Sequence, residues 1–514
     1  MFTTLISKEI RRHLLTFRFA AALVTIFALV LVSVWVLADD YKRRNNSYLR
    51  SAEMSSRRDV EEVFVPSQIS PTVHRPPTLL SIFAEGEDRR LGNIVRIQRW
   101  LVPSEATGSF SDNTLMAALP PFDLLTIFTV VISLFSLLFT YDAVSGEREE
   151  GTLKLISTVS IRRGTLYAAK FAAGLICIAI PFLLSFACSL VVLSFVFAVQ
   201  FTLVQWAALT LMILAGLFYA AIFIALGLLS SVLVRRSSTA LVLALLIWAL
   251  GVLVIPGAAQ EASGLLVQPP SPTEITRLES QIREENKAKM GSFYDSHPRA
   301  TSGWTGGYGD DRGGYYMFDG GVENFAQTAD YVRFLEPLRL SCADRIWEVF
   351  RRHELERDQQ ASLAAGFSVM APAHHLRDAF TRLSGTAISS YERFMRSARR
   401  YRGQLIDGFR NRGYFGRNAL RFFSRRDEST ISDEGYAQRR QEYRRLQVEN
   451  PTFYREQVGP HTWGPLPKDE VQPFRESEME PDFISALVPM GALAFGTLLV
   501  FAIGFAAFIR YDVR

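Results

Sequence analysis

The side chains best suited to chemistry form small groups, and none has the spacing of a catalytic or metal centre. His374 and His375 are adjacent, so on a helix they point about 100° apart and cannot easily share a metal ion. Asp310, Asp311 and Asp319 lie in a Gly- and Tyr-rich stretch, but their spacing matches no calcium loop. The sequence shows no Ser, His and Asp constellation. It therefore assigns the chain no catalytic residue and no metal ligand.

The most informative polar residues lie in residues 141–170, which separate two apolar runs and read YDAVSGEREEGTLKLISTVSIRRGTLYAAK. Thr152 can cap an amphipathic helix over residues 152–160, because its side-chain oxygen can accept from a free backbone N–H. Glutamates before that helix suit its positively polarised N-terminus, glycines beside them mark turns, and two arginines return the chain to the membrane surface. These residues are Glu147, Glu149, Glu150, Gly146, Gly151, Arg162 and Arg163.

The order of residues in this segment resembles the coupling loop of ABC-2 type permeases. The shared pattern is Gly-Glu-x-x-x-Gly-Thr-Leu, then an Arg, then a Lys that opens the next span. Its members here are Gly146, Glu147, Gly151, Thr152, Leu153, Arg162 and Lys170. Residues 76–93, PPTLLSIFAEGEDRRLGN, and the run PPFDLLTIFTVVISLFSLLFTYDAVSGERE are also similar to bacterial members with enlarged extracytoplasmic segments. The resemblance covers the first 260 residues and, beyond them, mainly the last span and residues 368–409.

The resemblance implies that this loop docks on a dimer of separate ABC ATPase subunits. The expected coupling residues are Gly146, Glu147, Glu149, Gly151, Thr152, Leu153, Leu155, Ile156, Arg162, Arg163 and Lys170. The chain contains no Gly-x-x-x-x-Gly-Lys-Ser/Thr phosphate loop, so we expect no enzyme activity, no cofactor of its own, and ATP and Mg on the partner ATPase. A second permease is implied, as a homodimer or a paralogous heterodimer. The second and fifth spans would line the translocation path, with Phe128, Leu134, Trp248 and Leu250 as wall residues.

Six stretches are long and apolar enough to cross a bilayer as helices, which takes roughly 20 residues at about 1.5 Å each. They are residues 19–38, 124–141, 171–199, 201–234, 239–259 and 483–509. The first could instead be a signal peptide cleaved after Ala38, but its apolar core of about 20 residues exceeds the usual 7 to 15. We therefore predict an all-α polytopic membrane protein with six transmembrane helices, an elbow helix over residues 1–18 and a tail over residues 510–514.

The basic residues close to the spans indicate the orientation, because Lys and Arg in short loops are retained in the cytoplasm. Four basic clusters share one side: residues 1–18, the loop 142–170, the pair Arg235 and Arg236, and the tail. We therefore predict a bacterial inner-membrane protein with both termini cytoplasmic. Residues 39–123 and 260–482 then face outward. For the smaller of these segments, the insert over residues 39–123 between spans 1 and 2, a mixed α/β structure is an alternative.

The larger outward segment is predicted to be mainly helical. Its apolar periodicity favours helices over residues 273–290, 328–364, 373–412 and 433–448, separated by Gly- and Pro-rich breaks. Residues 302–321, SGWTGGYGDDRGGYYMFDGG, are predicted to be a flexible surface loop.

Residues 391–426 interleave Arg with Phe and Tyr. In the cytosol this pattern could bind nucleic acid, but the predicted topology places it outside, so no nucleic-acid partner is expected. Three alternatives stay open. The segment could be an amphipathic helix pair on anionic lipid headgroups, a solvated helical face over a modest core, or a docking surface for a periplasmic partner or cargo.

The sequence thus favours a permease that couples ATP hydrolysis on a separate subunit to export or to mechanical work across the membrane. The cargo cannot be read from the residues. The alternative is a membrane-anchored structural or sensory protein whose outward domain binds an envelope partner. An enzyme embedded in the lipid bilayer would need polar residues within the spans, and these spans hold few beyond Ser, Thr and Gln205.

Overall fold

The computed structural model of the chain is mainly helical. It describes residues 2–61, 70–88, 91–108, 122–152, 162–297, 304–310, 313–319, 321–411 and 481–510, together with residues 445, 449 and 474. Six of the described helices are long and apolar enough to cross a membrane. The chain is therefore a multi-pass membrane protein with six transmembrane helices, and the predicted fold class is confirmed.

The first half of the chain contains spans 1 and 2 and a mixed insert between them. Helix α1 is Phe2–Leu14, and span 1 is helix α2, Phe17–Glu61. The insert holds strand β1 (Thr72–His74), a 3-10 turn (Leu79–Ile82) and strand β2 (Ile94–Arg96), and the two strands pair antiparallel. Span 2, α3, runs through Leu124–Thr126, the π-helical segment Ile127–Ile132 and Ser133–Thr140. The short helix α4, Ser145–Glu149, follows it.

The second half contains spans 3 to 6 and the large polar segment. Spans 3 and 4 are α5 (Arg163–Phe195) and α6 (Leu203–Leu233). Span 5, α7, runs through Ser237–Ala249, the π-helical segment Leu250–Val254 and Ile255–Leu266. The polar segment holds α8 (Pro272–Ser296), β3 (Trp304–Asp310), β4 (Gly313–Asp319), α9 (Gly321–Phe367), a 3-10 turn (Ser368–Met370), α10 (Pro372–Ser384) and α11 (Ile388–Asn411). Span 6 is α12, Phe483–Arg510.

Spans 1, 3 and 5 extend beyond their predicted apolar stretches, because apolar composition marks the lipid-facing part of a helix and not its ends. Helix α2 continues past residue 38 through residues held by i,i+4 ion pairs, Asp39 with Arg43 at 2.7 Å and Asp40 with Arg44 at 2.9 Å. Span 3 begins at Arg163. The lysine expected to open this span therefore lies two turns inside the helix.

Two predictions for the polar segment are wrong. Residues 302–321 were expected to form a loop, but β3 and β4 pair antiparallel, since their aromatic and Thr residues favour extended backbone. The helix expected over residues 373–412 is broken at Gly385, whose φ of 74° is left-handed and ends α10. The helix expected over residues 433–448 lies, apart from Arg445, outside the described residues.

The bundle has two different ends, which we call the loop end, with α1 and α4, and the domain end, with the insert and α8 to α11. Span 4 is central: 67% of the residues in its most apolar stretch are buried, against 17% in span 5. One apolar core runs through the spans and continues at the domain end into Phe83 of the insert and Phe380 of α10.

A second apolar core joins β1 and β2 of the insert to α11. Its members are Val73, Val95, Ile97, Phe394, Met395, Ala398, Tyr401, Leu405 and Phe409. The apolar face of the Arg-rich segment is thus covered by the insert over residues 391–411. For the described part of this segment, residues 391–411, the structure fits the alternative of a helical face over a modest core. It does not fit the alternative of an amphipathic helix lying on lipid headgroups.

Replacing Gly216 of span 4 by Val is expected to destabilise the bundle, because an added Cβ would overlap the ring of Phe128 on span 2. Overpacking a dense core costs about 1–3 kcal/mol. The midpoint of thermal unfolding in detergent should fall. Gly491→Val is the matched control, since that glycine lies in span 6 with no atom within 4 Å of its Cβ position. Equal midpoints for both variants would contradict this packing.

Candidate functional site

Helix α4 follows span 2 at the loop end and is fixed by a serine of span 4. The backbone N–H groups of Val144 and Ser145 both donate to Oγ of Ser231, each at 2.9 Å. Free N–H groups at a helix start need such partners, and here the partner is fully buried on the central span. The position of α4 is therefore tied to span 4.

A cluster of buried charges fixes the next turn of α4. Nζ of Lys170, on span 3, donates to Oε1 of Glu147 at 2.7 Å and to Oε1 of Glu9 on α1 at 3.1 Å. Arg12 of α1 also donates to Oε1 of Glu147, at 3.1 Å. Glu9, Glu147 and Lys170 are each at most 3% exposed. Two carboxylates thus balance two cations, as buried charges require.

The last residues of α4 bind the ends of spans 4 and 5. Nη1 of Arg148 donates at 2.8 Å to the carbonyl of Val234, just beyond span 4. The carboxylate of Glu149 accepts from the backbone N–H of Ser237 at 3.1 Å and from its hydroxyl at 2.5 Å, at the first residue of span 5. Each charge satisfies backbone groups at a helix terminus of favourable polarity.

The remaining spans are joined at the same end. Arg18 of span 1 donates to Oδ2 of Asp142 at 2.7 Å and to the hydroxyl of Tyr141 at 2.9 Å. Arg163, which opens span 3, donates to the carbonyl of Ile509 in span 6 at 3.2 Å. Residues 141–149 therefore contact spans 1, 3, 4 and 5 directly, and span 3 links them to span 6.

Comparison with known proteins agrees with this architecture. A family model described as ABC-2 family transporter protein matches residues 4–342. The chain belongs to the ABC-2 transporter family. A second model, for a domain of unknown function (DUF3526), matches residues 273–458 and so includes the polar segment of this ABC-2 protein from α8 to α11.

One similar protein is the Probable ABC transporter permease protein NosY of Stutzerimonas stutzeri. The two are 35% identical over 127 residues, which make up 24% of this chain and 46% of that relative. The chain thus spans about half the length of the relative it matches. The expected family is confirmed, and both comparisons support a transporter permease.

The structure divides the predicted coupling residues of this ABC-2 protein into a buried and an exposed group. Glu147 and Lys170 meet in the buried cluster, while Glu149, Gly151, Arg162 and Arg163 are exposed. Gly146 lies inside α4, so the turn expected at this glycine is wrong. Thr152 donates to the carbonyl of Glu147 at 3.2 Å, and Leu153, Leu155 and Ile156 lie outside the described residues. Gly151 takes a φ of 74°, the turn expected there.

The four predicted path residues do not share one surface. Phe128 is buried in the bundle, with its ring 4.6 Å from that of Phe182 and 5.7 Å from that of Phe380. Leu134 and Trp248 are half-buried, and Nε1 of Trp248 donates to Ser133 at 2.8 Å. Leu250 is 42% exposed on span 5. Of these four residues, only Leu250 has the exposure that a path between two permeases would need.

Sequence reasoning missed Glu9, Arg12 and Ser231 as partners of α4. One signal was available in the sequence. Lys170 is followed by an apolar run of more than 60 residues without another charged residue. An ionisable group within a span requires a partner, so this lysine indicated that a buried carboxylate lies nearby. The sequence could not show which carboxylates meet it, since Glu9 precedes it by 161 residues.

Replacing Lys170 by Met is expected to destabilise the chain, because it leaves the carboxylates of Glu9 and Glu147 buried and only Glu147 keeps its bond to Arg12. Removing one partner of a buried ion pair costs roughly 3–5 kcal/mol. The thermal midpoint in detergent should fall much further than for Arg235→Met, which removes an exposed cation at the same end. A Lys170→Met midpoint equal to that of the control would show that the cluster contributes little.

Proposed function

We propose that this permease receives movement from a separate ABC ATPase at residues 141–152 and passes it to its spans. The observation that carries the proposal is the set of contacts made by α4. Within five residues this helix bonds to α1, span 3 and the ends of spans 4 and 5 through Glu147, Arg148 and Glu149. A push on α4 must therefore displace several spans or break buried bonds.

The buried and exposed groups have different roles in this proposal. Glu147 and Lys170 are positioning residues, because they are paired inside the protein and offer no free surface to a partner. The docking surface consists of exposed side chains around the turn at Gly151. Its described polar members are Glu149, Glu150, Arg162, Arg235 and Arg236. Leu153, Leu155 and Ile156 of the predicted coupling helix would complete it.

The assembly follows from this assignment. ATP and Mg would bind the ATPase dimer, and this chain would pair with a second permease, identical or paralogous. The basic residues of the loop end favour the cytoplasmic side of a bacterial inner membrane for both termini, and the domain end would then face outward. Export and mechanical work are both compatible with this arrangement. The translocation path would run between the two permeases and not through the interior of this bundle, which Phe128, Phe182 and Phe380 fill.

The ATPase assignment is tested by co-purifying ABC ATPase subunits with the tagged chain. Glu150→Lys reverses an exposed charge on the docking surface. We expect ATPase affinity to fall at least about tenfold, as for the loss of one hydrogen bond to a charged group. Because Glu150 has no buried role, the thermal midpoint should not change.

The matched control is Glu284→Lys, the same change on α8 at the domain end, where the side chain is 73% exposed. It should leave ATPase binding unchanged. If no ATPase binds the unaltered chain, or if Glu150→Lys binds it as tightly as the control, the proposed coupling is wrong. The sensory alternative would then be favoured.

The proposed orientation is tested by labelling single cysteines with a membrane-impermeant maleimide. In a background with Cys177→Ala, Cys188→Ala and Cys342→Ala, Glu150→Cys should react only in inverted vesicles. Glu284→Cys should react in intact spheroplasts. The reverse pattern would place the loop end outside and exclude the ATPase as its partner.

A further inference from the structure

The domain end consists of two parts that are attached to the bundle in different ways. We call the first the seated unit, which comprises the insert (residues 70–88 and 91–108), α10 and α11. We call the second the arm, which comprises α8 and α9. Neither apolar core contains a residue of the arm among the residues described.

Apolar contacts and buried charges fix the seated unit to the spans. The ring of Phe83 lies 5.4 Å from that of Phe186 on span 3, and its carbonyl accepts from the N–H of Leu124 at the start of span 2. Arg44, on the extended helix of span 1, donates to Asp88 of the insert at 3.1 Å, and both side chains are at most 1% exposed. The insert thus continues the packing of spans 1 to 3.

Helices α10 and α11 belong to the same unit. Phe380 of α10 reaches Phe128 inside the bundle, and Thr386, just after α10, donates to the carbonyl of Ala84 in the insert at 3.1 Å. Helix α11 shares the second apolar core with β1 and β2. Interiors packed in this way have few alternative arrangements, so the seated unit is expected to move with the spans that hold it.

The arm is attached to span 5. The last part of span 5, Ile255–Leu266, packs along α9, where Gly264 faces the side-chain amide of Gln360. Helices α8 and α9 hold each other through the stacked rings of Phe293 and Phe334, 3.9 Å apart, and through Arg345 with Glu285 at 2.7 Å. The arm is therefore an extension of span 5.

A polar seam separates the arm from the seated unit. Across it, Glu336 of α9 pairs with Arg99 at 3.4 Å and accepts from Nε1 of Trp100 at 2.9 Å. The seam contains further contacts of the same kind: Arg399 with Glu354 at 3.4 Å, Arg402 with Asp344 at 3.9 Å, and Arg399 over the ring of Trp347 at 3.8 Å.

The contacts of Asp344 and Glu354 can separate and reform at lower cost than an apolar core. The Arg99 and Glu336 pair is buried, with both side chains at most 5% exposed, and costs more to separate. Asp344 is 70% exposed and Glu354 is 37% exposed, and ion pairs of that exposure contribute only about 0–1 kcal/mol each. Water can replace the partner of these two exposed carboxylates when the outer part of the seam opens. Cation–π contacts add about 0.5–2 kcal/mol and require no permanent burial.

Span 5 is also the span best placed to move. It is the least buried of the six, and its first residue, Ser237, is bonded to Glu149 of α4. It contains the π-helical segment Leu250–Val254, a type of irregularity often found where helices perform a function. Displacing it against the bundle disturbs less apolar packing than displacing span 4.

We propose that the arm is driven by span 5, so that the chain transmits the movement of its motor to the domain end by opening and closing the seam. This inference rests on the proposed coupling at α4. It assigns the chain mechanical work on the outward side, in addition to any role in forming a path. The working surface is the arm, and a partner in the cell envelope would be moved by it.

The test joins the arm to the seated unit with a reducible thiol cross-linker in the assembled complex. The seam pair is Glu354→Cys with Arg399→Cys, in the background without native cysteines. The matched pair is Glu285→Cys with Arg345→Cys. It also replaces an Arg and Glu ion pair by two cysteines, but its cross-link joins α8 to α9 within the arm and does not cross the seam. Each variant is its own control, because ATP hydrolysis is measured before linking, after linking and after reduction.

Linking across the seam is expected to slow ATP hydrolysis at least about fivefold, the lower end of typical coupling between sites, with recovery on reduction. Linking within the arm should leave the rate unchanged. A second measurement does not depend on cross-linking: spin labels at the exposed positions Lys287 and Arg400 should change their distance between nucleotide-free and vanadate-trapped complexes.

The two proposals fail in distinguishable ways. If the ATPase binds and Glu150→Lys weakens it, but the linked seam hydrolyses ATP at the unlinked rate and the label distance stays constant, the arm is a static structure and only this inference is overturned. If no ATPase binds the chain, the proposed coupling and this inference are both wrong.

Discussion

A buried ammonium group shared by two carboxylates holds the loop end of this permease together. Lys170 lies in an apolar helix, and an isolated charge there would cost several kcal/mol in lost hydration. Glu9 and Glu147 remove that cost only while α1 and α4 remain in place. The packing of the elbow helix, α4 and span 3 is therefore a single electrostatic arrangement, and none of these elements can shift without the others.

This arrangement suits the transmission of movement that we propose for α4. A charge network buried in a packed interior has few alternative geometries, so a displacement at α4 is carried to its partners rather than absorbed. The partners differ in how firmly they are held. Arg148 binds the end of the deeply buried span 4, whereas Glu149 binds the start of the loosely packed span 5. A displacement of α4 therefore has to disrupt more apolar packing to move span 4 than to move span 5.

The sequence was sufficient for features that depend on local composition. The length of apolar runs predicts six spans because the lipid bilayer imposes a minimum length, and the turn at Gly151 follows from its residue type. Contacts between distant segments were not predictable. Nothing near Glu9 shows that it will meet Lys170, and nothing in residues 70–108 shows that β1 and β2 will cover α11. The β3 and β4 pairing was missed because glycines suggested a loop while the aromatic residues between them favoured strands.

The domain end is better divided by the chemistry of its contacts than by the order of the chain. The strands of the insert and α11 are separated by more than 280 residues, yet a shared apolar core makes them one unit. The arm lies between them in the sequence and meets them mainly through arginines, tryptophans and carboxylates. Apolar burial favours one fixed arrangement, whereas the partly solvated pairs of Glu354 and Asp344 lose little when water replaces a partner. A membrane protein that placed both kinds of contact at one end would hold one part still and leave the other free to follow the span that bears it.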